Sequence, residues 1–133
     1  LLEHDGASLY RTLLSFLNQL PNLNNFELEK FITTFLGNKN KSRLELFVEL
    51  LNMTIARISK AGIMGNNYSH QLLKDEIEIF EKLCPTPNIA RKWAELAQKQ
   101  SEKLKHGLAV NLDPGSLILD TFFQIEDCAR AVR

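Results

Sequence analysis

The sequence predicts an all-α fold, a bundle of about six mostly antiparallel helices joined by short loops. Three observations lead to this prediction. Apolar residues recur at the three- and four-residue spacing of helices along most of the chain. Residues that cap or break helices separate these stretches at short intervals. No segment shows the strict alternation of apolar and polar residues that is typical of a half-buried strand.

The first three predicted helices contain the strongest apolar stripes. The first runs from about Asp5 to Leu20 and stops at Pro21. The second begins after Asn25 as its N-cap and ends at Gly37. The third opens at Ser42, which forms the spacing of a capping box with Glu45, and runs to about Ala61.

The third helix is predicted to be the centre of the bundle. It carries Phe47 and Leu51 on its main apolar stripe and further apolar residues on another side, so it is apolar nearly all round. The segment from Gly62 to Asn67 follows it and is the longest flexible connection, which makes it a candidate hinge between two halves.

The last three predicted helices each follow a capping residue. Ser69 caps the fourth, which extends to about Leu83, and Asn88 caps the fifth, which closes at Gly107. Asp113 caps the sixth, with Pro114 at the first helical position. The apolar face of this last helix consists of Leu117, Ile118, Phe122, Ile125, Cys128, Ala129 and Val132.

Length and composition place the chain among soluble single domains. It has 133 residues, with 16 basic and 16 acidic side chains, so it lacks the basic excess of many nucleic-acid-binding proteins. Cys84 and Cys128 have no metal or redox spacing, which predicts reduced thiols in a cytoplasmic protein. No apolar run approaches the ~20 residues of a membrane span. Because the sequence opens at Leu1, we expect a domain cut from a longer protein.

Motifs for catalysis are missing from the sequence. His4, His70 and His106 are isolated, and there is no H-E-x-x-H, phosphate loop or nucleophile elbow. The sequence therefore predicts a protein that is not an enzyme and has no cofactor, no metal site and no small-molecule substrate. The acidic residues Asp75, Glu76, Glu78 and Glu81 lie between Lys74 and Lys82, which is typical of a solvated helix face.

Two basic patches and one tryptophan allow alternative functions. The patches Lys39–Arg43 and Lys99–Lys105 are the candidates for phosphate contact, but no aromatic residues for base stacking lie among them. Trp93 is either a core anchor or an interface anchor, and we favour the core.

Three segments near the C-terminus carry a resemblance to a known family. They are Trp93-Ala94-Glu95-Leu96, Asn111-Leu112-Asp113 and Leu117-Ile118-Leu119-Asp120-Thr121-Phe122-Phe123. In this order they resemble the C-terminal collar domain of the delta-prime subunit of the bacterial DNA polymerase III clamp loader, in its alphaproteobacterial form. Leu9–Leu20 and Leu44–Ile58 are similar to two earlier helices of that domain. The sequence departs at Ala97, where many relatives have a large aromatic residue, and at Pro114 and Gly115, which are often basic.

The resemblance implies a structural, non-catalytic assembly domain. Delta-prime is part of the heteropentameric loader that places the sliding clamp on primed DNA, and its AAA+-type modules would precede Leu1. The expected partners are other clamp-loader subunits, which would bind through their collar domains, and we expect no direct DNA contact and no membrane contact.

The resemblance also suggests where a partner would bind. Asn111 could bond its own loop or a neighbour, Leu112 follows it in the same turn, and Asp113 is assigned to its own helix cap. Phe122 and Phe123 point about 100° apart on a helix, so one can face the core while the other faces a partner. Two other functions remain open, a helical nucleic-acid-binding module that uses the basic patches and a generic helical adaptor.

Overall fold

The all-α prediction is confirmed by the computed structural model, which describes residues 2–35, 41–65, 72–109 and 113–131. Within these ranges the chain forms six helices and no strand. They are α1 (Leu2–Gln19), α2 (Asn25–Thr33), α3 (Lys41–Met64), α4 (Lys74–Leu83), α5 (Pro87–Ala109) and α6 (Pro114–Arg130).

The turn between α1 and α2 differs from the prediction by one residue. The N-cap of α2 is Asn24 and not Asn25, because the Asn24 side-chain oxygen accepts a hydrogen bond from the Glu27 amide at 3.1 Å. Asn25 is already helical. α2 ends at Thr33, four residues before the predicted stop at Gly37, and Thr34 is its C-cap.

The central helix α3 is longer at both ends than predicted. Lys41 is already helical, so Ser42 lies inside the first turn and does not have the N-cap position of a capping box. At the other end α3 continues through Gly62 to Met64, which contradicts a hinge that starts at Gly62. Gly65 ends the helix with a positive φ of 55°, and its amide donates to the Ala61 carbonyl. Asn66 and Asn67 lie outside the described residues.

Two further caps were wrongly predicted. α4 begins at Lys74 with Leu73 at the N-cap position, so Ser69, which lies outside the described residues, does not cap it. Pro87 is the first residue of α5 and Asn88 is within its first turn. The side-chain oxygen that accepts at this end belongs to Thr86, 3.4 Å from the Ile89 amide. α5 then passes the predicted stop at Gly107 and ends at Ala109.

The core contains a cluster of phenylalanine rings that joins four helices. Ring centroids lie 5.1 to 6.3 Å apart along this cluster, at the separations of favourable aromatic pairs. Its members are Phe16 of α1, Phe31 of α2, Phe35 just beyond α2, Phe47 of α3 and Phe122 of α6. The cluster therefore connects the beginning of the chain with its end.

The packing of the helices places α3 in the middle. α3 packs most extensively against α5 and also against α1 and α4, while α6 packs against α5 and α2. Leu51 and Phe47 of α3 are fully buried. Among the described helices, none combines the length and the apolar character that crossing a membrane requires.

Candidate functional site

The last helix is held in place by its own cap and by its apolar face. The Asp113 carboxylate accepts from the Gly115 amide at 3.1 Å and from the Ser116 hydroxyl at 2.7 Å. The buried apolar residues of α6 are Leu117, Ile118, Phe122, Ile125 and Ala129. Because these residues recur at helical spacing, they form one face, and α6 docks on the bundle through that face.

The adjacent residues Phe122 and Phe123 face in different directions. The Phe122 ring is fully buried, with centroids 5.8 Å from Phe16 and 6.3 Å from Phe47. The Phe123 side chain is 39% exposed. α6 therefore has a core face and an outer face that carries an aromatic ring. The other two predicted interface residues, Asn111 and Leu112, lie outside the described residues.

Polar contacts position α6 against both of its neighbours. On the α5 side, the Thr121 hydroxyl donates to the buried Gln100 side chain at 3.3 Å, and Lys103 forms an ion pair with Asp120. On the other side, the buried Glu126 carboxylate accepts from the Leu23 amide, in the turn before α2, at 2.8 Å. These contacts leave the outer face of α6 between α2 and α5 as the surface that a partner can reach.

Trp93 is a core residue of α5. It is fully buried, and its indole N–H donates to the Leu83 carbonyl at 3.0 Å. Leu83 is the last residue of α4. A buried indole that has a hydrogen-bond partner fixes the end of α4 against α5. Trp93 is therefore not available on the surface as an interface anchor.

The basic patches are partly engaged in contacts within the chain. Arg43 donates to the Thr34 hydroxyl at 3.0 Å and lies over the Phe35 ring, 5.0 Å from its centroid. Lys41, Lys99 and Lys103 are exposed, and Lys103 is also paired with Asp120. Lys39 and the Lys105 side chain lie outside the described residues. The two patches therefore contain intramolecular contacts as well as exposed cations.

A buried charged cluster is the main feature that the sequence did not reveal. Glu76 was predicted to belong to a solvated helix face, but its side chain is only 3% exposed. Its carboxylate accepts from the Tyr10 hydroxyl, lies 3.0 Å from the Arg57 guanidinium and accepts from the Leu73 amide at 2.9 Å. Arg57 also donates to the Tyr10 hydroxyl at 3.0 Å. We call Tyr10, Arg57 and Glu76 the Glu76 cluster.

The cluster keeps Glu76 ionised in spite of its burial. Burial by itself would raise the pKa of the Glu76 carboxyl, but the hydrogen bonds from Tyr10 and the Leu73 amide and the charge of Arg57 lower that pKa. Burial and the bond to Glu76 raise the pKa of Tyr10 above its ordinary value, so the phenol stays protonated and donates. The cluster is thus a satisfied ion pair that connects α1, α3 and α4.

Neither cysteine has the low pKa of a reactive thiol. Both cysteines are free thiols, and burial raises the pKa of Cys84 and of Cys128 to about 11. A thiol with that pKa is protonated at neutral pH and is a poor nucleophile. Cys84 borders a groove of about 340 Å³ between the end of α3 and α4. In the described part of the chain, no group of three His, Cys, Asp or Glu side chains could hold a metal ion.

Comparisons of the chain with family models, with curated proteins and with solved structures found no match.

Proposed function

We propose that this domain is a structural, non-catalytic assembly module that acts as the collar domain of a delta-prime-like clamp-loader subunit. One observation carries the proposal, the outward position of Phe123 on a helix whose other face is buried. That helix contains the segment with the most specific resemblance to the family. An exposed aromatic ring on a rigid, well-capped helix is typical of residues that anchor protein interfaces.

The surroundings of Phe123 support an interface rather than a catalytic site. The cap at Asp113 and the contacts of Thr121 and Glu126 hold α6 in place before a partner binds. Binding through α6 therefore costs little conformational entropy. Asp127 and Arg130, one and two turns further along, are exposed and pair with each other at 3.5 Å. An aromatic residue beside exposed charges resembles the arrangement of an anchor inside a polar rim.

Light scattering after size exclusion tests this function. The chain is measured alone, mixed with the collar domain of the clamp loader's motor subunit, and mixed with the intact motor subunit. We expect a monomer alone and a defined complex in a mixture. If the chain forms no complex with either the collar domain or the intact motor subunit, the collar function is contradicted.

A matched pair of substitutions locates the surface. Phe123→Ala should weaken the complex at least tenfold. Phe26→Ala removes an even more exposed ring from a different helix, α2, and should leave the complex unchanged if α6 is the binding surface. Circular dichroism should show the same helix content for both variants. If the two substitutions change the affinity of the complex equally, α6 is not the binding surface.

The nucleic-acid alternative receives less support from the contacts. Arg43 and Lys103 take part in intramolecular contacts, and these contacts compete with phosphate for the two cations. For a labelled primer-template duplex we expect no binding that weakens steeply with salt. Tight binding with such a salt dependence would favour the alternative.

A further inference from the structure

α4 is attached to the bundle differently at its two ends. At its N-terminal end Lys74 and Asp75 are exposed, Ile77 is half-buried and Glu76 is buried. The first turn therefore contributes a carboxylate to the interior instead of an apolar side chain. Further along the helix, the buried residues Ile79, Phe80 and Leu83 provide ordinary apolar packing.

The Glu76 cluster brings together groups from three helices. Tyr10 comes from α1 and Arg57 from α3, and these are the two helices against which α4 chiefly packs. The same carboxylate accepts from the Leu73 amide and so also satisfies the start of its own helix. Removing one member of a buried ion pair leaves the others without compensation, which is strongly destabilising.

The other helices have attachments that do not involve α4. The phenylalanine cluster joins α1, α2, α3 and α6. α5 packs on α3 and α6. A loss of the contacts of α4 therefore leaves these attachments in place, and α4 has the properties of a local unfolding unit.

We propose that α4 is a detachable element of the bundle, held by the charge of Glu76 and released from α1 and α3 when that charge is lost, while the other five helices stay folded. Release uncovers the Phe80 side chain and the thiol of Cys84, which are 0% and 2% exposed in the closed state. Release also breaks the hydrogen bond from the Trp93 indole to the Leu83 carbonyl. Cys84 directly follows Leu83, so the accessibility of its thiol reports the release. The proposal is independent of the collar function.

The test measures how fast iodoacetamide alkylates Cys84 in the full chain. Cys128→Ser is the background, so that Cys84 is the remaining thiol. In this background Glu76→Gln should raise the alkylation rate at least tenfold. Glu78→Gln, an exposed position on the same helix, is the matched control and should change the rate less than twofold. Tyr10→Phe keeps the ion pair and removes the two hydrogen bonds of the Tyr10 hydroxyl, one to Glu76 and one from Arg57, so its effect should fall between the two.

Hydrogen exchange of the α6 amides distinguishes local release from global unfolding. We expect these amides to exchange equally slowly in the parent and in Glu76→Gln. An unchanged alkylation rate in Glu76→Gln overturns the proposal. It is also overturned if α6 exchange accelerates by the same factor as alkylation, or if Glu76→Gln does not fold and Tyr10→Phe accelerates both processes together, because Glu76 would then hold the whole bundle.

Discussion

The last helix and the fourth helix show two ways of joining the same bundle. α6 inserts an apolar face with the Phe122 ring at its centre. α4 buries an ionised carboxylate beside its apolar residues and depends on the charge of Arg57 and the hydrogen bond from Tyr10 to stabilise it. Apolar burial gains free energy in proportion to area and without a required direction. A buried ion pair is stable only when each partner is in place.

This difference determines how each attachment fails. Trimming the apolar face of α6 should lower stability in proportion to the volume that is removed. Neutralising Glu76 should release α4 as a unit.

Leu51→Asp should have the largest effect, because it places a carboxylate at a fully buried position in the central helix. The lost apolar burial and the uncompensated charge together should cost more than about 5 kcal/mol, which is comparable with the whole stability of a small domain. The variant should lack a cooperative thermal transition in circular dichroism. A variant that melts like the parent would show that α3 is not the centre of the bundle.

Phe122→Ala and Phe123→Ala separate the two faces of α6. Phe122→Ala removes a fully buried ring and should lower the free energy of unfolding by about 3 to 5 kcal/mol. Phe123→Ala changes an exposed side chain and should cost about 1 kcal/mol or less. Urea unfolding of both variants provides the measurement, and similar losses would contradict the assignment of the core face.

Gly62→Ala tests the contact between the end of α3 and the residue after α4. A Cβ atom at this position would lie 2.2 Å from Cys84 Sγ and 3.0 Å from the Ala90 Cβ, so something must shift. We expect a loss of about 1 to 3 kcal/mol from overpacking. Gly6→Ala is the control, because its new Cβ would meet only ordinary contact at 3.8 Å from Leu46 and should gain helix propensity.

Adding Cys84→Ala to Gly62→Ala should restore part of the lost stability, since the closest atom is then absent. Additive effects of the two substitutions would mean that this close contact does not limit the packing.

Acid should weaken the attachment of α4 through Glu76. Among the described residues, the titratable groups that face Glu76 are Tyr10 of α1 and Arg57 of α3. Together with the Leu73 amide they hold the pKa of Glu76 below the ordinary value of 4.5. A depressed folded-state pKa contributes stability above the ordinary pKa, and this contribution is lost as the pH falls through the folded-state value. The melting temperature of the parent should therefore fall more steeply with falling pH than the melting temperature of Glu76→Gln. Parallel pH profiles would contradict this, and Glu78→Gln should follow the parent.

The sequence predicted the parts of the fold that depend on local patterns. The spacing of Phe47 and Leu51 identified the central helix, and the Asp113-Pro114 pair identified the start of α6, because periodicity and this cap are local. The predicted N-caps Ser42 and Asn88 were wrong because a residue of a capping type can also be accommodated inside the first turn of a helix. Gly62 was interpreted as a break, but its role is the close approach of Cys84, which only the packed structure shows.

The candidate sites show the same limit more strongly. Helical geometry was enough to predict that Phe122 and Phe123 point in different directions. The burial of Glu76 could not be predicted, because the residue that donates to it, Tyr10, is 66 positions away and the flanking lysines indicate a solvated face. Long-range polar pairing has no periodicity that a single sequence can display.

The hydrogen bond between the Leu23 amide and Glu126 has a consequence for the synthesis of this chain. The two residues are separated by 103 positions, so a ribosome takes roughly 5 to 20 seconds to travel from one to the other. During that interval the amide lacks its native acceptor, and burying it would leave a donor unsatisfied. We therefore expect the α1–α2 turn to stay hydrated on the nascent chain, and the N-terminal half of the bundle to close only after the last helix has emerged.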